Sequence, residues 1–305
     1  VRILVTGHKG FIGSHLAAEL RNNNHDVHGI DQILSPADNL LIPGVADRAV
    51  RQADAEIVVH LAARVGRLFG EDHPADTIAD NAGMTALVAK AAAAHGARFV
   101  YASTSEVYGD QGNQTCHEYD GPFELPHNIY GLSKRWGEDV ACLYAPDGLV
   151  VLRFSMPYGP GLPAGRGRAA IINMLWQALH RRPIPVHAGA ERSWCFIEDT
   201  VRAARLAIEH GDGAYNVGRD DDPVTMHSVA RLACALTGAA DDLDLIQLTE
   251  APANQTVVKR LSTERIRTLG WHPEVELPEG MEKTLEWVRL LDEDGMPTPQ
   301  AMELV

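Results

Sequence analysis

Cysteine is scarce. The chain has four in 305 residues (Cys116, Cys142, Cys195 and Cys234), with no CxxC pair and no Cys/His spacing of a metal-ligand set. A chain of this length can build a core that needs no disulfide staples. A reducing cytoplasm fits, although four cysteines can also pair, and no metal site is expected. No cluster of Lys and Arg offsets a formal net charge of −14, which removes general nucleic-acid binding. A local pocket can still oppose that sign for a small anion. No apolar run approaches the length of a bilayer span, and "VRILVTG" reaches glycine after one strand's length instead of running on as a signal core. There is no internal repeat and no low-complexity tract. The expectation is a cytoplasmic protein of ordinary composition, 45% hydrophobic and 22% charged, with room for a large domain and a smaller one attached.

What is present is alternation. "RILVTG", "DVHGID", "AEIVVHLAA", "ARFVYAS" and "GLVVLRFS" read as strands. Between them, "GFIGSHLAAELRNN", Ala82–Ala94 and Tyr130–Tyr144 carry helical spacing. Strand–helix alternation predicts an α/β fold with a parallel sheet covered on both faces. After Tyr158 the texture changes to a Gly/Arg-rich loop, a helix over 169–180, a helix from Asp199, a strand at "GAYNVG" and a turn at "LGWHPEV". The boundary falls at 155–165. We expect residues 1–160, with 196–219 returning to them, to form a dinucleotide-binding domain, and 161–195 with 220–305 to form a smaller C-terminal α/β substrate domain.

Gly7, Gly10 and Gly13 form GxxGxxG between the first strand and first helix. Glycines there allow a tight turn and close approach to a pyrophosphate, and the helix start, with Phe11 and Ile12, offers N–H groups and a positive dipole end. Asp31 ends the second strand, where a carboxylate grips ribose hydroxyls and repels a 2′-phosphate, which favours NAD. Lys9 argues the other way. Among the seven tyrosines only Tyr130 has a lysine four residues on, Lys134, on the same helix face. An ammonium there favours the phenolate, making Tyr130 a base for a sugar hydroxyl.

With "VTGHKGFIGSHL", "VVHLAA", "YASTSEVYG", "YGLSK", "LRFSMPYGPG", "AYNVG" and "LGWHPEVELPEGMEKTLEW" in this order, the chain resembles the extended short-chain dehydrogenase/reductase family, the NAD-dependent nucleotide-sugar epimerases and dehydratases. The resemblance implies a Rossmann-type doubly wound sheet and a nucleotide-diphosphate-sugar substrate. Position by position, it implies that Thr104 bridges Tyr130 and the sugar, that Lys134 binds the nicotinamide ribose, and that Leu61, Ala62, Ala63, Asn81 and Ser103 line the cofactor. Arg192 matches an arginine that meets the diphosphate. Loops 159–169 and 187–194 are expected around the nucleotide, bringing Arg166, Arg168 and His187. Met156 and Arg260 complete the expected substrate set. Met156 departs from the family's usual asparagine, and the short segment from Asp31 to Ile57 reduces the usual acidic pair near adenine to Asp47, a candidate helix cap. The loop from Arg64 to Asn81 looks more like the GDP-sugar members.

The residues after Thr104 separate the reactions. Dehydratases carry Asp-Glu; here the pair is Ser105-Glu106, without the acid that would help the 6-hydroxyl leave. "TSEVYG" matches UDP-glucuronate decarboxylases, whereas "YGLSK" is epimerase-like. The expected activity is C4 epimerisation of an NDP-hexose or NDP-uronate through a transient 4-keto sugar. Decarboxylation is second, followed by 4,6-dehydration, C3/C5 epimerisation or ketosugar reduction. A catalytically dead, cofactor-sensing protein is set aside by Thr104, Tyr130 and Lys134. The Ala-rich helices imply, by the same resemblance, a homodimer built on a four-helix bundle.

Overall fold

The computed structural model describes residues 1–121, 124–165, 170–220, 223–252 and 256–302. Six strands, β1 (Arg2–Thr6), β2 (Asp26–Ile30), β3 (Ile57–His60), β4 (Arg98–Thr104), β5 (Val150–Phe154) and β6 (Gly213–Val217), make one all-parallel sheet in the order β2-β1-β3-β4-β5-β6. The period-2 alternation of each strand divides the core. Ile3, Val5, Val59, Val100 and Leu152 point into one apolar cluster, while Leu4, Val58, Phe99, Tyr101 and Val151 point into the other. Helices α1 (Phe11–Asn22), α2 (Val45–Gln52), α3 (Arg67–Asp72), α4 (Pro74–Ala94), α5 (Ile129–Tyr144), α6 (Ala170–Leu179), α7 (Ile197–His210) and α8 (Met226–Leu236) pack around this sheet and beyond its C-terminal edge. α1 and α7 pair with each other, and α2, α4 and α5 form a second group. The fold is a doubly wound α/β Rossmann sheet.

β1 lies between β2 and β3, so the chain switches direction across the sheet at β1. The loops after β1 and β3 therefore open a crevice at the carboxyl edge, the place where such sheets take ligands. β6 returns after α7 to pair with β5, in register from Gly213 opposite Val150 to Val217 opposite Phe154. Buried Asp199, in the first turn of α7, accepts from the backbone N–H groups of Glu274 and Val275 at 3.0 Å, and its carbonyl accepts the Trp271 indole N–H at 2.9 Å. This fixes the "LGWHPEV" turn against α7. None of the four cysteines is disulfide-bonded. Among the described residues no helix is long and apolar enough to cross a membrane.

Two local expectations change. α4 begins at Pro74, eight residues before Ala82, and α3 precedes it, so the stretch from Arg64 to Asn81 is mostly helical and not a loop. Proline at the first helical position is pre-set for the turn. The buried stripe Thr77, Asn81, Met84/Thr85, Val88 and Ala92 starts with polar residues, so apolar periodicity misses its first turns. Asp47 is not the cap of α2; Gly44 is, and the Asp47 carboxylate meets His95 at 2.8 Å.

A buried ion pair fastens α5 to the sheet. Arg153 of β5 donates from Nε and Nη2 to the two carboxylate oxygens of Glu138 at 2.9 and 2.7 Å, and from Nη1 to the Tyr108 hydroxyl at 3.0 Å and the Glu118 carbonyl at 2.9 Å. Replacing Glu138 with Ala strands the guanidinium in a dry interface. Urea denaturation is expected to show a loss of about 3–5 kcal/mol, and an unchanged midpoint would refute this account of how α5 is seated.

Candidate active site

The glycine turn is dictated by space. Gly7 has φ +72°, and a Cβ there would lie 2.7 Å from the Ala62 backbone nitrogen, while one on Gly13 would lie 2.1 Å from the Gly7 carbonyl oxygen. The loops after β1 and β3 thus touch through bare backbone. Gly10 caps α1 without a side chain, and no acidic residue occupies the first turn. The helix start around Phe11 and Ile12 is left to an anionic ligand. Asp31 closes the turn from the other side: its oxygens accept from the backbone N–H groups of Lys9 and Ile33, both at 3.0 Å. Glycines without room for Cβ, an uncapped helix start and a carboxylate on the second strand fit the pyrophosphate and ribose of NAD.

Leu61, Ala62 and Ala63 border this turn, with the Ala62 N–H donating to Thr6 Oγ1 at 3.2 Å. The Thr6 hydroxyl in turn lies 2.7 Å from His60 Nδ1, and burial holds His60 neutral, its pKa near 3. Asn81 serves the loop more than the cleft. Its Oδ1 accepts from the Arg64 N–H at 2.7 Å, and its Nδ2 donates to the Arg64 carbonyl at 3.1 Å and to Ser133 Oγ at 2.9 Å. Ser103 is likewise engaged behind the cleft, donating to Glu138 Oε1 at 2.5 Å.

Tyr130, Lys134 and Glu138 follow one another at four-residue steps on the face of α5 that lies on β4. The Thr104 side chain acts on Tyr130, partly offsetting the effect of burial on the phenol, while its Oγ1 accepts from the Glu106 N–H at 3.3 Å. Lys134 Nζ lies 4.5 Å from the centre of the Tyr101 ring. The electrostatics differ from the expectation that Lys134 lowers the phenol. Burial, reinforced by the nearby Glu106 carboxylate, raises Tyr130, and burial pulls the Lys134 amine down to about 7, against a partial opposing effect of Glu138. In the protein alone burial thus favours the uncharged form of both groups. A low dielectric also means that any cation brought beside Tyr130 acts on it strongly.

Glu106 is locked. Its Oε2 accepts from Asn128 Nδ2 at 2.9 Å, its Oε1 pairs with Lys259 Nζ, and Arg192 adds a second positive field. Lys259, Asn128 and Arg192 hold its carboxyl below the usual range against the opposing effect of burial. Asn128 also caps α5, its Oδ1 accepting from the Gly131 N–H at 2.8 Å. Ser105 is buried beside this pair and lines a small cavity with Tyr108 and Lys259. Neither Asn128 nor Lys259 is prominent in the sequence. Asn128 had a signal as a cap residue directly before the Tyr130 helix; Lys259 had none, being 153 residues from its partner.

Arg192 is buried, and three N–H donations go to carbonyls: Nη1 to Glu191 at 2.7 Å and Val257 at 2.6 Å, Nη2 to Thr256 at 2.6 Å. It is a strut for the chain leading to Lys259 as well as a cation of the cleft. Met156 has φ +46°, a left-handed conformation that asparagine adopts more readily than methionine. Arg260, in register with Thr115, lines a cleft of about 310 Å³ with His117 and Asp220. His187 stands opposite Thr249 in a separate strand pair. Arg166 and Arg168 lie outside the described residues.

The sequence model of the NAD dependent epimerase/dehydratase family matches residues 3–218. The chain belongs to this family. Its relatives differ in activity. UDP-glucuronic acid decarboxylase 1 of Xenopus tropicalis is 28% identical over 94% of this chain and 72% of its own. A putative UDP-glucose 4-epimerase of Methanocaldococcus jannaschii is 25% identical over 94% and 98%. The solved structure of MoeE5 in complex with UDP-glucose and NAD is 27% identical with a TM-score of 0.82, over 95% of this chain and 99% of that one. The family is one of NAD-dependent epimerases, decarboxylases and dehydratases, and the glycine turn suits its cofactor.

The depressed Lys134 amine gives a pH signature. The unfolded chain holds this proton up to the ordinary value of 10.5, the folded chain only to about 7, so stability rises with pH across that window. Lys134→Met is expected to remove the slope and raise stability at neutral pH. Chemical denaturation at several pH values checks it, and parallel profiles for the two proteins would contradict the burial of a charged amine.

Proposed function

We propose that the protein is a nucleotide-diphosphate-sugar 4-epimerase working through a transient 4-keto sugar. The observation that carries this reading is that the Glu106 carboxyl is held as the anion and offers no proton, which leaves proton transfer to the Tyr130–Lys134 pair. Thr104 acts on Tyr130, Ser105 stands where a dehydratase has an acid, and Glu106 is held as a carboxylate by Asn128 and Lys259. Gly7, Gly10, Gly13 and Asp31 hold the cofactor with Lys134. When bound there, NAD would supply the two-electron oxidation of C4 and its reversal. Tyr130 takes the proton of the C4 hydroxyl, with Thr104 orienting that oxygen. The keto sugar turns over in the cleft, C4 takes the hydride back on its other face, and Tyr130 returns the proton to the C4 oxygen.

In this reading residues 1–160 and 196–219 carry the cofactor, and 161–195 with 220–305 carry the nucleotide sugar. The unbonded cysteines fit a reducing compartment, the cytoplasm. Decarboxylation of an NDP-uronate is the second reading, favoured by the proximity of Glu106 and Arg192. The partner is a second copy. α5 exposes Trp136, Leu143 and Tyr144 and α4 exposes Leu87, an apolar stripe on the side of the helix pair away from the sheet. Light scattering is expected to give a dimer, and Leu143→Asp a monomer; a monomeric wild type would remove the proposal.

The decisive experiment incubates the protein with NAD and UDP-glucose or UDP-glucuronate and tracks products by mass spectrometry and proton NMR. Unchanged mass with altered ring couplings is expected. A product lighter by carbon dioxide or by water would replace epimerisation with decarboxylation or dehydration. Tyr130→Phe should lower kcat by about 10²–10⁴-fold, and full activity in that variant would end the mechanism.

A further inference from the structure

The stretch "VVHLAA" holds a titratable residue that the proposed chemistry does not use, His60. It ends β3, is buried, and stands in register between Thr6 of β1 and Tyr101 of β4. Two-residue alternation puts these three side chains on the sheet face that carries Leu4, Val58 and Phe99. The imidazole lies 6.1 Å, centre to centre, from both the Phe99 and the Tyr101 rings. Lys134 reaches the same row from α5, with its ammonium over the Tyr101 ring and its carbonyl accepting from the Tyr101 hydroxyl at 3.3 Å.

Hydrogen-bond accounting sets the polarity of this row. Thr6 receives the loop after β3 at two points: its carbonyl accepts from the Leu61 N–H and its hydroxyl oxygen from the Ala62 N–H, both at 3.2 Å. A backbone N–H only donates, so the Thr6 hydroxyl hydrogen needs another partner, and His60 Nδ1 lies 2.7 Å away. Thr6 is itself buried, so bulk water does not take that hydrogen. Nδ1 accepts only when it carries no proton, which places the ring proton on Nε2. Burial, with the Lys134 ammonium adding to it, holds the imidazole pKa near 3 and keeps the ring neutral. A protonated ring would make Nδ1 a donor, and the Thr6 oxygen would face two donors while its own hydrogen lost its acceptor.

The cofactor turn hangs on this chain. A Cβ on Gly7 would lie 2.7 Å from the Ala62 nitrogen, so the loops after β1 and β3 are already in contact. The N–H at that contact is the one the Thr6 hydroxyl holds. We infer that His60 is a positioning residue for the cofactor: with its proton on Nε2 it takes the hydroxyl hydrogen of Thr6, turns that oxygen toward the Ala62 N–H, and so holds the loop after β3 against the glycine turn at the spacing NAD requires. His60 plays this part whatever becomes of the sugar after oxidation.

Nitrogen NMR of the full chain, labelled in its histidine rings, reads the tautomer directly, with His60 assigned by the signals lost in His60→Asn. A bare Nδ1 and a protonated Nε2 are expected, unchanged over roughly pH 5 to 8. Titration calorimetry with NAD then measures the role, with thermal melts to verify folding. His60→Phe keeps a flat ring but offers Thr6 no acceptor, and affinity should fall about tenfold. His60→Asn puts a carbonyl oxygen near the place of Nδ1 and should recover most of that loss. Thr6→Val should weaken NAD binding too, and the double variant with His60→Phe should lose no more than the larger single loss. Packing alone predicts the opposite order, since Phe fills the space beside Phe99 and Tyr101 whereas Asn leaves a hole. A protonated Nδ1, a ring that titrates in that range, wild-type affinity in a folded His60→Phe, or weaker binding by Asn than by Phe would overturn the inference. If the Phe variant does not fold, the tautomer and the Asn and Thr6→Val affinities decide it: a bare Nδ1 with near-wild-type binding by Asn and weakened binding by Thr6→Val upholds it, and any other combination overturns it.

Discussion

The approach of α5 to β4 is the constraint on which the cleft depends. Two glycines make it possible. A Cβ on Gly137 would lie 1.9 Å from the Tyr101 hydroxyl, and one on Gly131 would meet Glu106. With those side chains absent, the face Tyr130–Lys134–Glu138 rests directly on the strand. Tyr130 then lies by Thr104, Lys134 over the Tyr101 ring, and Glu138 accepts from Ser103. The Glu138–Arg153 pair holds this register from inside, because the fork geometry of a guanidinium on a carboxylate tolerates little sliding. Catalytic placement is thus a consequence of helix-on-sheet packing.

The other end of the cleft depends on Asn128. One oxygen of its side chain starts α5, and its nitrogen grips Glu106. The position of Tyr130 and the rotamer of Glu106 are therefore linked through a single amide. Lys259 completes the link by tying that carboxylate to the C-terminal part of the chain. The charges on this side of the cleft are therefore ordered before any ligand arrives.

The strands, the glycine turn and the Tyr130–Lys134 spacing were legible because each is a local pattern. β-branched runs bury themselves, glycines mark close backbone approach, and a four-residue step puts two side chains on one face. What was illegible is non-local or polar. The first turns of α4 bury Thr77 and Asn81, so their hydrophobic signal is weak. Arg192 was readable as a cation but not as a strut, since its carbonyl partners lie 64 and 65 residues away. Lys259 is one residue from Arg260, the cation singled out from sequence; strand alternation sends neighbours to opposite sides, and nothing local says which side faces the cleft.

The charge state of Glu106 bears on the reaction more than its identity does. A glutamate after the catalytic threonine can serve as an acid only if it carries a proton. Here an ammonium, an amide and a nearby guanidinium stabilise the anion, and their combined pull outweighs burial. In the epimerase reading, proton transfer is then left to the Tyr130–Lys134 pair. Epimerisation needs one carrier used twice, once in each direction. Dehydration needs an acid at the leaving hydroxyl and a base at the adjacent carbon, and decarboxylation needs a donor to the carbanion that remains. A cleft whose Glu106 is a fixed anion is thus better matched to reversal than to elimination, and Lys259 is the cation that keeps that anion fixed.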